Sequence, residues 1–272
     1  MNISLFIAQR LQLKGTKRDT SSSSTVIAIA GVAIAIIVMV LTLSIVLGFK
    51  HQIREKVSGF ESQITINPAN DYYTGQTDQT IVFSNSIKNI LDSLYHNYNS
   101  IKISLSVELP GMIKTDDNFM GLVFKGINRN ANNFFISQNI VEGNIPNYDI
   151  DSCKNDIIIS STVASKLKIS LGQRINTYFF NEGKIRARKF KIAGIYNSNF
   201  GEYDKLIVYA PNSTLQRVAN IDSISGSVIE INGFNENDIL DESIKLQTAI
   251  NQAVYNRQLN KIYQVDNVLR AG

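Results

Sequence analysis

The sequence predicts an α+β protein: one N-terminal transmembrane helix continuing into a stalk, followed by a domain of two α/β-type lobes. Three observations carry this. The stretch from Thr20 to Phe49 contains no Asp, Glu, Lys, Arg or His. About 220 residues follow it, in which short alternating runs are interspersed with amphipathic helical stripes. The mean hydropathy of the whole 272-residue chain is −0.04, so the remainder is not a series of further spans.

Within the apolar stretch, Val26 to Phe49 reads VIAIAGVAIAIIVMVLTLSIVLGF. As a helix it would run ~36 Å, enough to cross a ~30 Å hydrocarbon core with some tilt. It is longer than a signal-peptide core and ends LGFKHQ without a small-residue cleavage pattern, so it reads as an uncleaved anchor. Before the span stand Arg10, Lys14, Lys17 and Arg18 against Asp19; after it stand Lys50, Arg54 and Lys56 against Glu55. That bias, with the mixed charge of the following domain, predicts a cytoplasmic N-terminus and an external main domain.

Residues 1–19 include ISLFIAQRLQL, which fits an amphipathic helix along the inner leaflet. The run Ser21–Ser24 with Thr25 is expected to cap the next helix and separate the two. Gly31 with Ala35 and Ser44 with Gly48 are small-xxx-small pairs suited to close packing against neighbouring helices. Beyond Phe49, KHQIREKVSGF has no breaker before Gly59, so residues 24–57 are expected to form span plus stalk and 58–272 the external domain.

In that domain SQITIN, ending at Pro68, reads as a strand, and residues 69–80 as a loop. Ser84 can cap a helix over 85–97 with Ile87, Ile90, Leu91, Leu94 and Tyr98 on one stripe. IKISLSVELP and MGLVFKGIN alternate as strands. A helical turn is expected at Asn130–Phe135, a turn at Glu142–Asn144, a buried strand at DIIIS and a short helix at STVASKLK. A second β-rich region opens at Gly172. Arg174–Phe180 and Lys184–Tyr196 flank a hairpin turn at Asn181-Glu182-Gly183. A strand at Lys205–Tyr209 stops at Ala210-Pro211, and Pro211 opens a helix holding Leu215 and Val218. Ser225–Asn232 reads as a strand, and Asp238–Leu259 as a long helix with Ile239, Ile244, Leu246, Ile250, Val254 and Leu259 inward.

The net charge of +4 is mild. Lys184, Arg186, Arg188, Lys189 and Lys191 alternate as the solvated face of a strand, without the aromatic platform of a nucleic-acid site, so no nucleic-acid partner is expected. Cys153 is the sole cysteine, which excludes an intrachain disulfide and fits an inert thiol. The sequence contains no G-x-x-x-x-G-K-[ST], no G-x-G-x-x-G and no G-x-S-x-G. His51 and His96 lie far apart without ligand-spaced partners, and Asp116-Asp117 reads as a solvated turn. Tyr72-Tyr73 fits an exposed contact or turn packing equally. No enzyme, catalytic residue, metal or cofactor is predicted.

The ordered series of features resembles the lipoprotein-releasing (LolC/LolE-like) permeases of ABC transporters, within the group that includes MacB-like and FtsX-like permeases. The resemblance runs from FIAQRL through VLGFKHQIREKVSGFESQITI, LVFKGINRN, IVEGNIP and NDIIISSTVASKLKISLGQRI to FKIAGIYNSNFGEYDKLIVYAP. It implies a MacB-like periplasmic domain and a permease subunit of the bacterial inner membrane that uses ATP hydrolysis by a separate cytoplasmic ATPase to release lipoproteins from the outer leaflet of that membrane. The implied partners are that ATPase, a second permease subunit, the lipoprotein, a periplasmic carrier and the bilayer. Val40, Leu43, Ile45, Leu47 and Phe49, in the outer half of the span, are the expected acyl contacts. An FtsX-like mechanotransmission subunit, a MacB-like efflux permease and a membrane-tethered adaptor are the alternatives. Family members usually continue with three further spans, so the chain is expected to be a fragment or a truncated product. LolC-like members carry an extended hook in a hairpin. The corresponding hairpin here, Thr177–Arg188, turns over Asn181, Glu182, Gly183 and Lys184, the candidate partner-contact residues, and is short for such a hook.

Overall fold

A computed structural model describes residues 20–69, 80–116, 118–128, 131, 133–148, 150–181 and 183–269. The expected inner-leaflet helix, the Tyr72-Tyr73 pair, Asp117 and Glu182 lie outside them. The chain divides into two compact units, Met1–Ile53 and Arg54–Gly272, each taken by itself.

Helix α1 (Thr20–Phe60) begins in the first unit. Its segment Ser24–Lys50 has mean hydropathy 3.0 and no buried residue, and is long and apolar enough to cross a membrane. A helix apolar on every side has no preferred soluble face to pack, which is the pattern of a span. Thr42 Oγ1 donates within the helix to the Val38 carbonyl at 2.8 Å. Ser21–Ser24 are helical, which corrects the expectation that they stand outside as a cap. Small polar side chains can bond back to the preceding turn and so are tolerated inside a helix.

The second unit has two lobes, and they are not consecutive in sequence. The first lobe is a four-stranded antiparallel sheet of β1 (Ile64–Pro68), β3 (Lys102–Ser106), β12 (Val228–Asn232) and β13 (Tyr263–Asn267), in the order β13-β1-β12-β3. Helices α2 (Asn85–Tyr95) and α7 (Ile239–Tyr255) pack on it, burying Ile64, Ile66, Leu91, Ile229, Leu246 and Ile250. A short ribbon pairs β2 (Ile81–Val82) with β11 (Ser225–Gly226). Ser84 Oγ accepts from the Ile87 amide at 3.4 Å, the predicted cap of α2. Ser84→Ala should therefore lower the stability of this unit by about 1 kcal/mol in urea titration of the detergent-solubilised chain. An unmoved midpoint would show the cap to be idle.

The second lobe is inserted between β3 and β11. Its strands are β4 (Glu108–Lys114), β5 (Phe119–Ile127), β6 (Ile140–Gly143), β7 (Asp156–Ser160), β8 (Arg174–Asn181), β9 (Lys184–Tyr196) and β10 (Ile207–Pro211). Their order is β6-β9-β7-β10-β5-β4-β8, and β8 also pairs with β9, so six strands close into a ring with β6 on the far edge of β9. Two joints are parallel, β7 with β9 and β10 with β5. Phe124, Phe179 and Phe190 meet inside at centroid separations of 4.8–6.2 Å. Among the described residues the lobe also holds the short α-helices α3 (Phe134–Asn139), α4 (Ser161–Leu167), α5 (Gly201–Asp204) and α6 (Asn212–Ala219) and a 3₁₀ turn at Asp151–Cys153. Ser160 caps α4 and also donates to the Asp204 carbonyl.

Several expectations are corrected. IKISLSVELP is not one strand: it breaks at Val107, with β3 in the first lobe and β4 in the second. Alternation records inside and outside but not which sheet a residue joins. Ser225–Asn232 likewise divides into β11 and β12. The helical turn expected at Asn130–Phe135 is the later α3, and Glu142-Gly143 closes edge strand β6. Ala210 and Pro211 belong to β10, beginning at Ile207, since Pro is tolerated at a strand end. Tyr98 lies past α2 and is half exposed, and Tyr95 fills the stripe; on α7, Ile244 is exposed.

Candidate functional site

The end of α1 is gripped by both lobes of the second unit. Phe60, its last residue, is 2% exposed. Its ring lies edge-on to Phe135 at 4.9 Å and stacked on Tyr203 at 4.8 Å, with Tyr196 and Phe200 at 6.2 and 6.5 Å. Gly59 permits this approach, because a Cβ there would stand 2.0 Å from the Phe135 ring. The next residue, Glu61, accepts from Tyr203 Oη at 2.7 Å. Burial and that bond push the Tyr203 phenol up to about 12.

The carbonyl of Phe60 would be an unsatisfied helix end. Lys125 Nζ, from β5, donates to it at 2.9 Å. The same ammonium pairs with Glu230 of β12 at 2.7 Å and Glu108 of β4 at 3.6 Å. Glu230 also accepts from Ser104 at 3.3 Å. One cation thus ties the helix terminus, the first lobe and the second lobe. Burial works to lower the Lys125 pKa, but Glu230 and then Glu108 outweigh it, and the net direction is up. Tyr209 Oη, beside this group, has no hydrogen-bond partner among the described residues, and burial raises its pKa.

The backbone around this knot is stapled as well. Asn232 accepts from the Gln63 amide at 3.0 Å and donates to Ser62 at 3.1 Å. Gln63 Oε1 accepts the Gly233 and Phe234 amides, each at 2.8 Å. Where the chain crosses between lobes, Asn212 Oδ1 accepts the Val107 amide at 2.9 Å. Gly126 leaves room for that side chain: a Cβ would stand 2.2 Å from Asn212 Oδ1. A cleft of about 570 Å³ opens beside the knot, with Val123, Leu206, Val228 and Val268 among its apolar walls and Glu61, Glu108, Glu202 and Asp266 among its carboxylates. Among the described residues no His, Cys, Asp and Glu group is arranged to hold a metal.

The residues picked from sequence lie elsewhere. Gly31, Ala35, Ser44 and Gly48 are all exposed on α1, and a Cβ at Gly31 or Gly48 would meet nothing within 4 Å. Val40, Leu43, Ile45, Leu47 and Phe49 are each more than half exposed. At ~100° per residue, helical phase brings Val40, Leu43 and Leu47 to one side and puts Ile45 and Phe49 on the other. The hairpin exists as read: β8 and β9 pair through Asn181 and Lys184, and Gly183 has φ +72°. Asp116 and His96 are exposed, and Cys153 is a free, half-buried thiol. Sequence reasoning missed Lys125, Glu230, Tyr203 and Phe135; the signal available was the lone lysine inside the apolar run LVFKGIN.

An N-terminal apolar helix followed by two interleaved α/β lobes is the architecture of a membrane-anchored chain with an extracytoplasmic domain. The pattern of the MacB-like periplasmic core domain matches residues 25–241, and the chain belongs to that family of ABC transporter permease-type domains. Its fold is similar to the extracellular domain of the noncanonic ABC-type transporter YknZ from Gram-positive bacteria. That match has 16% identity and a TM-score of 0.48, covering 76% of this chain and 99% of that one. It is also similar to the periplasmic region of MacB from Actinobacillus actinomycetemcomitans, with 13% identity, a TM-score of 0.47, and coverage of 76% and 89%. No curated protein matches the chain.

Proposed function

We propose that this chain is a LolC/LolE-like permease subunit, with its N-terminus in the cytoplasm. It couples ATP hydrolysis by a cytoplasmic ATPase partner to release of lipoproteins from the outer leaflet of the inner membrane. Residues 1–19 lie along the inner leaflet, 24–57 form span and stalk, and 58–272 form the external domain. The observation that supports this most is the helix Thr20–Phe60 itself: one element carries both the apolar segment and the residue whose ring and carbonyl the lobes hold. Axial displacement of such a helix acts directly on Lys125 and the interlobe cleft. Val40, Leu43, Ile45, Leu47 and Phe49 offer acyl chains an apolar surface. The pairs Gly31/Ala35 and Ser44/Gly48 receive neighbouring helices, including those of a second permease subunit.

Depletion of the protein is expected to leave lipoproteins in the inner membrane, read by fractionation and immunoblot. Their normal delivery overturns the proposal. Strands β8 and β9 stay paired out to Asn181 and Lys184, which leaves little hairpin to engage a carrier, and this favours an FtsX-like mechanotransmission subunit as the second reading. In that case lipoproteins are delivered normally while cell-wall hydrolysis falls.

A further inference from the structure

Two neighbouring tyrosines of the second lobe are satisfied differently. Tyr196 of β9 and Tyr209 of β10 pack edge-on at 5.5 Å and are 1% and 2% exposed. Tyr196 Oη donates to the Ile207 carbonyl at 3.0 Å. Tyr209 Oη has no such acceptor among the described residues. A buried phenol ordinarily finds a partner, because taking its hydroxyl out of water uncompensated is costly.

Strand register shows where Tyr209 points. It pairs with Lys125 of β5 in a parallel joint, while Val208 pairs with Phe124 and faces the inside of the ring. Side chains alternate, so Tyr209 leaves the ring on the side of Lys125, toward Glu230 of the first lobe. A cavity of about 30 Å³ lies there, with Tyr209, Glu230, Lys125, Ser62 and Asn232 as its polar lining. Glu230 Oε1 sits 2.7 Å from Lys125 Nζ yet takes no aligned hydrogen bond. A carboxylate oxygen has two lone pairs and so accepts a further donor. Ser62 and Asn232 already bond each other at 3.1 Å.

The size and charge of the cavity select its occupant. A void of ~10–15 Å³ admits a water, provided at least about two polar groups face it. Organic ligands need several hundred Å³. The Lys125 ammonium in the wall repels a cation. We propose that one water molecule is held in this cavity, accepting from Tyr209 Oη and donating to Glu230 Oε1. It ties β10 of the second lobe to β12 of the first, beside the direct ion pair of Lys125. The cavity shares Phe60, Glu61, Ser62, Lys125 and Glu230 with the larger cleft, which supplies and exchanges the water. The seam between the lobes is therefore a hydrated joint, whose polar groups keep a partner, protein or water, as the lobes part. This holds whatever the chain transports.

Tyr209→Phe in the full detergent-solubilised chain tests the bridge by sign. Loss of a bridging hydroxyl should lower the folded-to-unfolded ratio roughly fivefold in urea titration. Loss of an orphaned hydroxyl would instead leave the ratio unchanged or raise it, and either result overturns the proposal. On a Lys125→Met/Glu230→Leu background the water has lost its acceptor, so Tyr209→Phe should no longer destabilise. An undiminished loss there would assign the hydroxyl to another partner and likewise overturn the bridge. A crystal structure of the full chain that shows ordered waters should hold one within about 3.2 Å of both Tyr209 Oη and Glu230 Oε1. Its absence, or its persistence in Tyr209→Phe at full occupancy, counts against the assignment.

Discussion

Lys125→Met is expected to destabilise the second unit by about 3–5 kcal/mol. The substitution removes one cation and strands three groups. Glu230, with its side chain only 6% exposed, loses its 2.7 Å partner. The Phe60 carbonyl loses its donor, and Glu108 loses its counter-charge. A buried carboxylate without a cation costs more than the pair contributes, so the remedy is to remove the other charge. Lys125→Met with Glu230→Leu should recover most of the loss, because an apolar pair of similar volume is often neutral against a buried ion pair. Urea unfolding of the four members of this cycle measures it. A single-variant loss below about 1 kcal/mol, or a double variant no better than Lys125→Met, would count against the knot. The pH dependence has a definite sign. The lysine pKa is raised in the folded state, so its contribution is fully present below the unfolded value of 10.5 and is lost only as pH rises through the folded one. Lys125 should therefore add no slope to stability between about pH 6 and 9.

The same lysine shows why part of the site was invisible in sequence. Alternation in MGLVFKGIN correctly places Leu122 and Phe124 inside, and it assigns Lys125 to the opposite face, where a lysine ordinarily meets water. Periodicity says which residues leave one face of a strand. It does not say what covers the other, and here β12, about a hundred positions later, covers it. The hairpin β8–β9, the capped helix α2 and the buried strand β7 were legible because turn residues, caps and apolar runs act locally. The interleaving was not, because the switch at Val107 consists of one residue in an unbroken alternating run. Strand β13, YQVDN, is too short and polar to stand out, and it is fixed by pairing with β1 and by Gln247 and Ser243 of α7, partners distant in sequence from β1. Gly59-Phe60 could be read as the end of the stalk. The side chains that hold it, Lys125, Phe135, Tyr196 and Tyr203, come from segments 65 or more positions downstream.

Insertion of Gly-Pro after Val57 is expected to uncouple ATP hydrolysis from release in the reconstituted transporter. The ATPase rate would stay near that of the parent while lipoprotein release falls on the order of tenfold or more. Proline inside a helix removes a backbone hydrogen bond and costs ~3 kcal/mol, and glycine adds about 1. The insertion keeps Gly59, Phe60 and Lys125 but displaces Val57, which packs on the first lobe and accepts the Glu61 amide at 2.8 Å, so circular dichroism must show the external domain folded before a loss of release is assigned to stiffness. Seven alanines at the same point provide the contrast. At ~100° per residue they advance the helix by about two full turns, so it remains continuous and nearly in phase. If α1 transmits motion as a stiff rod, the alanine variant retains most of the release and the Gly-Pro variant does not. If both variants release lipoprotein normally, the helix is only a tether. If both fail while hydrolysis continues, the distance between membrane and domain matters rather than stiffness, and the force must enter the lobes by another route than Phe60.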